Sequence, residues 1–357
     1  MERTPDTTSY LLDHCRRYPA LQPGDLLKAL HQSVFGCGHF VRADGDGLER
    51  LRRELAGLPP ESRGDVEPLD GEFCRVHLGL LQRTALRPET LFRLFCLSAE
   101  KLCGTGADLE EKLSSLKALA ETGQLPFPAA ELTAAVAAWR EAGFPACSHT
   151  EAFRRHYAPA YRVLHRDYAR LLPLLTAIDD GLAEKGRLLV AIEGGAASGK
   201  STLGRLLTRI YDCTLFHADD YFLQPHQRTP ERLAEAGGNL DRERLEAELL
   251  RPWKTSGAVT WRRYDCHSQR LCPAVETPLA PLTVLEGAYS MHPDLEKYYD
   301  LSVFLDIGPE LQAERIRRRN TPEMAERFFT TWLPLERRYF EATAAAKRCG
   351  LILEVDT

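Results

Sequence analysis

One octapeptide constrains this chain more than any other feature. Gly194-Gly195-Ala196-Ala197-Ser198-Gly199-Lys200-Ser201 fits the pattern GxxxxGK[ST] throughout. Such a segment has chemistry only between a strand and a helix. The apolar run Leu188 to Ile192 leads into it, and Ser201 through Ile210 reads as a helix leading out. Glycines let the backbone curl so that its N–H groups face inward as an anion nest, and the following helix turns its positive end to the same point. Lys200 adds a cation for the β- and γ-phosphates of a nucleotide, and the Ser201 hydroxyl is a ligand for Mg²⁺. The expected nucleotide-binding stretch is Gly194, Gly195, Ala196, Ala197, Ser198, Gly199, Lys200, Ser201 and Thr202. The plain alternative, a glycine-rich turn without a ligand, does not require Lys-Ser at the helix start.

The residues around this loop predict an α/β architecture. Beyond it come short apolar runs at Thr214 to Phe216, Leu282 to Leu285, Ser302 to Leu305 and Leu351 to Val355, separated by longer helical stretches. That alternation implies a parallel sheet with helices on both faces. Upstream of Glu184-Lys185-Gly186 the pattern differs. Helical spacing recurs from Ser9, after Asp25 (read as a cap), over Leu48 to Leu58, Pro88 to Leu97, Ala107 to Leu119 and Ala129 to Ala142. It recurs again from Asp167 to Leu182, where Pro173 should kink or split the helix. With 357 residues the chain suits two domains. The expectation is an all-α domain over 1–185 and a P-loop NTPase-type domain over 186–357.

Composition narrows the setting. A net charge of −5 and a pI near 6.2 argue against a nucleic-acid partner. Met1 to Tyr10 lacks an apolar signal region, and no stretch approaches a membrane span. Ten cysteines without a CxxC pair read as free thiols of a reducing cytoplasm. The expectation is therefore a cytoplasmic protein with no membrane or nucleic-acid partner, compatible with a homo-oligomeric state.

The acceptor side is read from His217-Ala218-Asp219-Asp220-Tyr221-Phe222. A carboxylate at the end of a strand beside the loop strand lies in the crevice where α/β sheets bind ligands. There it can take the proton of an attacking hydroxyl. A solvated loop carboxylate is the bland reading.

The loop followed by Asp-x-Tyr resembles the uridine kinase and phosphoribulokinase group of P-loop kinases, with pantothenate kinase a more distant relative. The resemblance runs over residues 187–357 in the order of its motifs. It implies an ATP- or GTP- and Mg²⁺-dependent transfer of phosphate to a small-molecule hydroxyl, with a nucleoside as the leading acceptor. Within it, Asp219 falls on the catalytic base and Tyr221 on the acceptor pocket. Asp241, in Asn239-Leu240-Asp241, falls on a ribose ligand, although an N-cap before Arg242 is an equal reading. Glu286-Gly287 resembles a Walker-B-like Mg²⁺ site, and Arg315, Arg317, Arg318 and Arg319 resemble an arginine lid, with Arg315 and Arg318 taken as the catalytic pair. One segment departs from the family. Tyr264-Asp265-Cys266-His267-Ser268-Gln269-Arg270 carries its histidine two places early, which weakens uridine as the substrate while leaving Tyr264, His267 and Arg270 as candidate acceptor contacts.

The first half matches no such family. Its local clusters are Ser33 to Phe40, Cys74 to Gly79 and Cys147 to Glu151, followed by Arg154-Arg155-His156-Tyr157 and Tyr161-Arg162. No HExxH or CxxC spacing supports a metal there. The basic, tyrosine-rich stretch suits an anionic ligand. The plain reading puts His77 and His156 in helices, with Ser148 or Thr150 capping a helix that opens at Glu151. Two rivals to the kinase reading stand: a nucleotide-dependent switch or NTPase driving the helical domain, and a bifunctional enzyme with a second activity in the first half.

Overall fold

Leucine spacing and cap chemistry build the helices of the first half. A computed structural model describes residues 6–37, 45–101 and 104–355; Gly38, His39, Phe40 and Cys103 lie outside the described residues. The chain divides into two compact units, Met1–Thr176 and Ala177–Thr357. In chain order the first carries α1 (Thr7–Arg17), α2 (Pro23–Phe35), α3 (Gly47–Ala56), β1 (Val66–Pro68), β2 (Phe73–His77), α4 (Gly79–Arg83) and α5 (Pro88–Ala99). It continues through α6 (Gly106–Glu121), α7 (Ala129–Glu141), α8 (Glu151–Tyr157), β3 (Tyr161–His165) and α9 (Arg166–Ala169) into α10 (Leu172–Lys185), inside which the division falls.

Local rules account for most helix boundaries. In α6, Thr105 caps the first turn and Leu109, Leu113, Leu116 and Leu119 are buried at helical spacing. Thr150 caps α8, its hydroxyl accepting from the Phe153 N–H at 3.2 Å. Pro173 lies in the first turn of α10 and α9 ends before it, so the segment is split. Asp25 is not the cap expected from sequence. Helix α2 starts at Pro23 behind Gln22, and Asp25, in the third helical position, reaches back to the Gln22 N–H at 3.0 Å.

The first unit is not all-α. Strands β1, β2 and β3 form an antiparallel sheet in that order, with Glu67 opposite Arg75 and Arg75 opposite Val163. All five residues of β2 are buried, including Arg75 and His77, so His77 belongs to a strand and not to a helix. The charges in these strands hid them from an apolar-pattern reading. Inside the fold the charges compensate one another around Glu67, which is 2% exposed. Its carboxylate accepts from Tyr18 Oη at 2.6 Å and from His77 Nε2 at 3.0 Å, and lies 3.4 Å from both Arg75 Nη1 and His14 Nδ1. Burial opposes ionisation of Glu67, but hydrogen bonds from His14 and His77 and the charge of Arg75 outweigh it and hold the carboxyl well below the usual range.

The second unit carries β4 (Leu188–Gly194), α11 (Lys200–Ile210), β5 (Cys213–His217), α12 (Pro230–Ala234), α13 (Arg242–Leu245), α14 (Arg251–Trp253) and β6 (Ala258–Trp261). Then follow β7 (Tyr264–Asp265), β8 (Arg270–Leu271), β9 (Val275–Pro278), β10 (Leu282–Glu286), β11 (Leu301–Ile307), α15 (Pro309–Arg319), α16 (Pro322–Arg327), α17 (Leu333–Thr343), α18 (Ala345–Arg348) and β12 (Leu351–Val355). The five apolar runs become one five-stranded parallel sheet in the order β12-β11-β4-β10-β5. Its central strand, β4, is buried along its whole length, as a strand covered on both faces must be. Alternation on β5 shows the two layers: Leu215 meets Gly204 of α11, while Phe216 joins the cluster of Leu245, Leu249 and Trp253. Two small antiparallel pairs, β6–β9 and the β7–β8 hairpin between them in sequence, interrupt the order and were not legible in the sequence. Among the described residues no helix is long and apolar enough to cross a membrane.

Glu67→Ala leaves Arg75 buried without its counter-charge, and we expect a loss of about 3–5 kcal/mol in urea unfolding. Because the folded-state value of Glu67 is depressed, the stability it contributes is present above the unfolded carboxyl value. It is lost as pH falls toward the folded one, so the variant should lose less stability than the parent on acidification.

Candidate active site

The loop between β4 and α11 takes the curled form its glycines allow. Gly194, Ala197 and Gly199 have φ of 147°, 61° and 101°, and this alternation turns successive N–H groups to one side. Gly194 also permits close packing, since a Cβ there would lie 2.6 Å from the Leu305 carbonyl oxygen on β11. Lys200 is 9% exposed and donates to the carbonyls of Gly194 and Gly195 at 2.8 and 2.9 Å. Ser201 and Thr202 are exposed on the first turn of α11.

The sheet register brings carboxylates to the same edge. Glu286 ends β10 opposite Ile192 of β4 and His217 of β5. Asp219 follows β5 on a single 3₁₀ turn, Ala218–Tyr221. The β10 end approaches that turn closely: Gly287 has φ of 149°, and a Cβ there would meet the Ala218 Cβ at 2.6 Å. Buried Glu286 binds His217 Nδ1 at 2.5 Å, a bond that raises the imidazole above its ordinary value. Asp219 is exposed on one side and closely surrounded by protein on the others. Loss of hydration on the crowded side pushes its carboxyl above the usual aspartate range; Lys200 opposes the shift and Glu286 adds to it. The open side keeps that rise smaller than full burial would produce.

Helix α15 brings some of the lid arginines to the loop. Arg315 Nη1 donates to the Ala197 carbonyl at 3.4 Å. Arg319 lies over the Phe328 ring, and its charge lowers the carboxyl of Asp219. Arg317 stacks on Phe329. Arg318 is exposed, and among the described residues no hydrogen bond or ion pair joins it to the loop.

Three loop partners went unrecognised in the sequence. Glu336 of α17, 6% exposed, accepts from the Ala196 N–H at 2.8 Å, and Gln312 of α15 donates to the Ala196 carbonyl and to Glu336, both at 3.1 Å. Burial raises the Glu336 carboxyl against the pull of Lys200. Fully buried Glu193 accepts from the Gly194 and Met291 N–H groups at 2.8 and 3.0 Å and from the Tyr339 hydroxyl at 3.1 Å; burial pushes its carboxyl up to about 7. Glu193 had a visible signal, a single acid closing an apolar strand. Gln312 and Glu336 had none, because only the fold brings them to Ala196.

The expected acceptor residues divide into internal and exposed groups. Tyr221 does not line a pocket: it is 0% exposed, stacked near Trp261 with the Arg244 guanidinium 4.5 Å from its ring centre. Asp241 is the N-cap of α13, accepting from the Arg244 N–H at 3.1 Å, and it also accepts from Gln227 Nε2 at 3.1 Å and Arg244 Nε at 3.3 Å. Tyr264 is buried, its hydroxyl accepting from Arg228 at 2.6 Å. His267 and Arg270 are exposed on the β7–β8 hairpin, where the Asp265 carboxylate fixes the turn by accepting from the His267 and Ser268 N–H groups. The charge of Asp219 reaches Cys266 of the same hairpin.

A parallel sheet with an anion nest at the end of its central strand defines a P-loop α/β unit. Solved structures similar to the chain include a protein described as a possible uridine kinase from Bacillus stearothermophilus, 21% identical, TM-score 0.38, covering 51% of this chain and 99% of that one. A second is assigned as a fructose transport system kinase from Silicibacter sp. TM1040, 24% identical, TM-score 0.41, covering 49% and 97%. A third is TT1252 from Thermus thermophilus, 22% identical, TM-score 0.27, covering 48% and 90%. No family model and no curated protein matches the chain.

Gly287→Ala must push the Ala218 turn aside at an unfavourable φ. We expect a loss of about 1–3 kcal/mol in urea unfolding, against a change within error for Gly257→Ala, where a Cβ meets nothing.

Proposed function

We propose that the second unit transfers the γ-phosphoryl group of ATP or GTP to a hydroxyl of a small molecule. The observation that carries this reading is the place of Asp219: one short turn beyond β5, at the edge where the loop opens, within the charge fields of Lys200 and Glu286. The donor set suits a nucleoside triphosphate with Mg²⁺. Backbone N–H groups and the Lys200 ammonium match phosphate oxygens, and a hydroxyl and a carboxylate, Ser201 and Glu286, are hard oxygen ligands. When bound, Mg²⁺ neutralises charge on the β- and γ-phosphates. Asp219 orients the acceptor hydroxyl and takes its proton. His217 holds the Glu286 carboxylate by its hydrogen bond. Arg315, against the loop at Ala197, and Arg319 supply positive charge where charge develops on the transferred group.

A nucleoside is the first acceptor to test, on the order of the motifs in the chain. Tyr221, Asp241 and Tyr264 are held inside the fold, and the β7–β8 hairpin with His267 and Arg270 offers the exposed candidate contacts for the acceptor. The measurement is ATP consumption with Mg²⁺ across nucleosides, pantothenate, glycerate and sugar phosphates, with mass detection of the product. Acceptor-independent hydrolysis far above background would overturn the transferase reading in favour of an NTPase.

Asp219→Asn should lower kcat by about 10²–10⁴-fold while nucleotide affinity stays within a few-fold. Lys200→Ala should weaken nucleotide binding itself, as read by equilibrium titration. The raised carboxyl of Asp219 also sets a pH dependence. The charged form is the base, so kcat/KM should fall as pH drops through its folded-state value. That acid limb should lie above the ordinary aspartate range and be absent from the residual activity of Asp219→Asn.

A further inference from the structure

A cavity of about 620 Å³ opens within the first unit, and the chemistry described above does not use it. Its volume is that of a small-molecule site. Four cationic side chains face it, Lys28 from α2, Arg50 from α3, Arg154 from α8 and Arg162 from β3, against one lining carboxylate, Glu54. Glu54 is already committed to Arg162 at 2.8 Å. Arg154 is exposed, and among the described residues it has no ion pair. Gathering like charges around a void is unfavourable. Lys28 registers that cost: burial first, then repulsion from Arg75 and Arg154, push its ammonium down to about 8.

The wall behind these cations is held by hydrogen bonds. Asp25, 0% exposed, accepts from His149 Nδ1 at 3.0 Å, and the other ring nitrogen accepts from the Tyr161 hydroxyl at 2.7 Å. Gln32 Oε1 accepts from Arg75 Nε and Nη2 at 2.9 and 2.7 Å, and the Arg75 guanidinium lies 4.8 Å from the Tyr161 ring centre. Lys28 is fixed by donation to the Cys147 carbonyl at 2.8 Å. Lys28, locked in this way, presents its donors with little entropy left to lose. Much of the remaining wall is apolar, with Phe92 and Phe95 of α5 facing the cavity.

We propose that this cavity binds a small organic phosphomonoester, its phosphate against Lys28, Arg50 and Arg154 and its ring or apolar body against Phe92 and Phe95. Several cationic side chains converging on one cavity suit a dianion better than a monoanion. The site is independent of the phosphotransferase reading, because all its residues belong to the first unit.

The test is calorimetric titration of the full chain with phenyl phosphate at low salt. Parallel titrations use Lys200→Ala, which disables the nucleotide loop, Arg154→Glu, at an exposed position where reversal should leave the thermal melt intact, and Arg50→Glu, with its melt measured alongside. One saturable event of roughly millimolar Kd or tighter is expected in the parent and in Lys200→Ala, weakened about tenfold or more by either reversal. Benzoate, the monoanionic counterpart, should bind about tenfold more weakly. The proposal is overturned by the absence of saturable binding. It is equally overturned by binding that disappears in Lys200→Ala and is indifferent to the reversals, or by benzoate binding as well as phenyl phosphate.

Discussion

The parallel register of β5, β10 and β4 is the constraint on which the rest of the candidate active site depends. It sets Glu286 level with Ile192 and His217, so the phosphate loop, the buried carboxylate and the turn carrying Asp219 emerge at one edge. Hydrogen bonding along the strands fixes their relative height, and the absence of a side chain at Gly287 lets the β10 end approach Ala218. Neither effect involves a ligand. The sheet positions the groups in advance.

That preorganisation concentrates positive potential at the loop, and the fold balances it with buried acids. Glu193 receives N–H donors from Gly194 and Met291 beneath the loop, and Glu336 receives the Ala196 N–H above it. Both carboxyls are raised by burial, so the hydrogen bonds that hold them are needed to keep them in place. The first unit solves the same problem with opposite bookkeeping: a single buried acid, Glu67, anchors Arg75, His77 and Tyr18. In the lining of that unit's cavity, cationic side chains outnumber carboxylates.

Legibility in the sequence followed the range of the interactions involved. All five parallel strands were readable, because each contains a short run rich in aliphatic residues, although the edge strands β5 and β12 are only partly buried. The sheet of the first unit was not, because Glu67, Arg75 and His77 break that pattern and are stabilised by partners distant in sequence, such as Tyr18 at a separation of 49 residues. The Asp25 cap was misplaced by three positions: the helix already begins at Pro23, and Asp25 closes a capping box on Gln22 from the third helical position. At the candidate site, Gly194 through Thr202, Asp219 and Glu286 were legible from motif and strand end. Tyr221 was assigned to a pocket and the fold uses it as core; Asp241 takes the cap role, one of its two equal readings.

By itself, then, the sequence determined the strand–loop–helix at Gly194 to Ser201 and the α/β alternation around it, because backbone curvature and strand burial are encoded within a few consecutive residues. Only the tertiary structure decided which distant side chains reach the loop: Gln312 and Glu336 at separations of 116 and 140 residues from Ala196, and Arg315 at 118 from Ala197. It also decided that the cations of α2, α3, α8 and β3 surround one cavity. Those encounters depend on how helices pack, and packing is set by shape complementarity over the whole unit, not by any local pattern of residues.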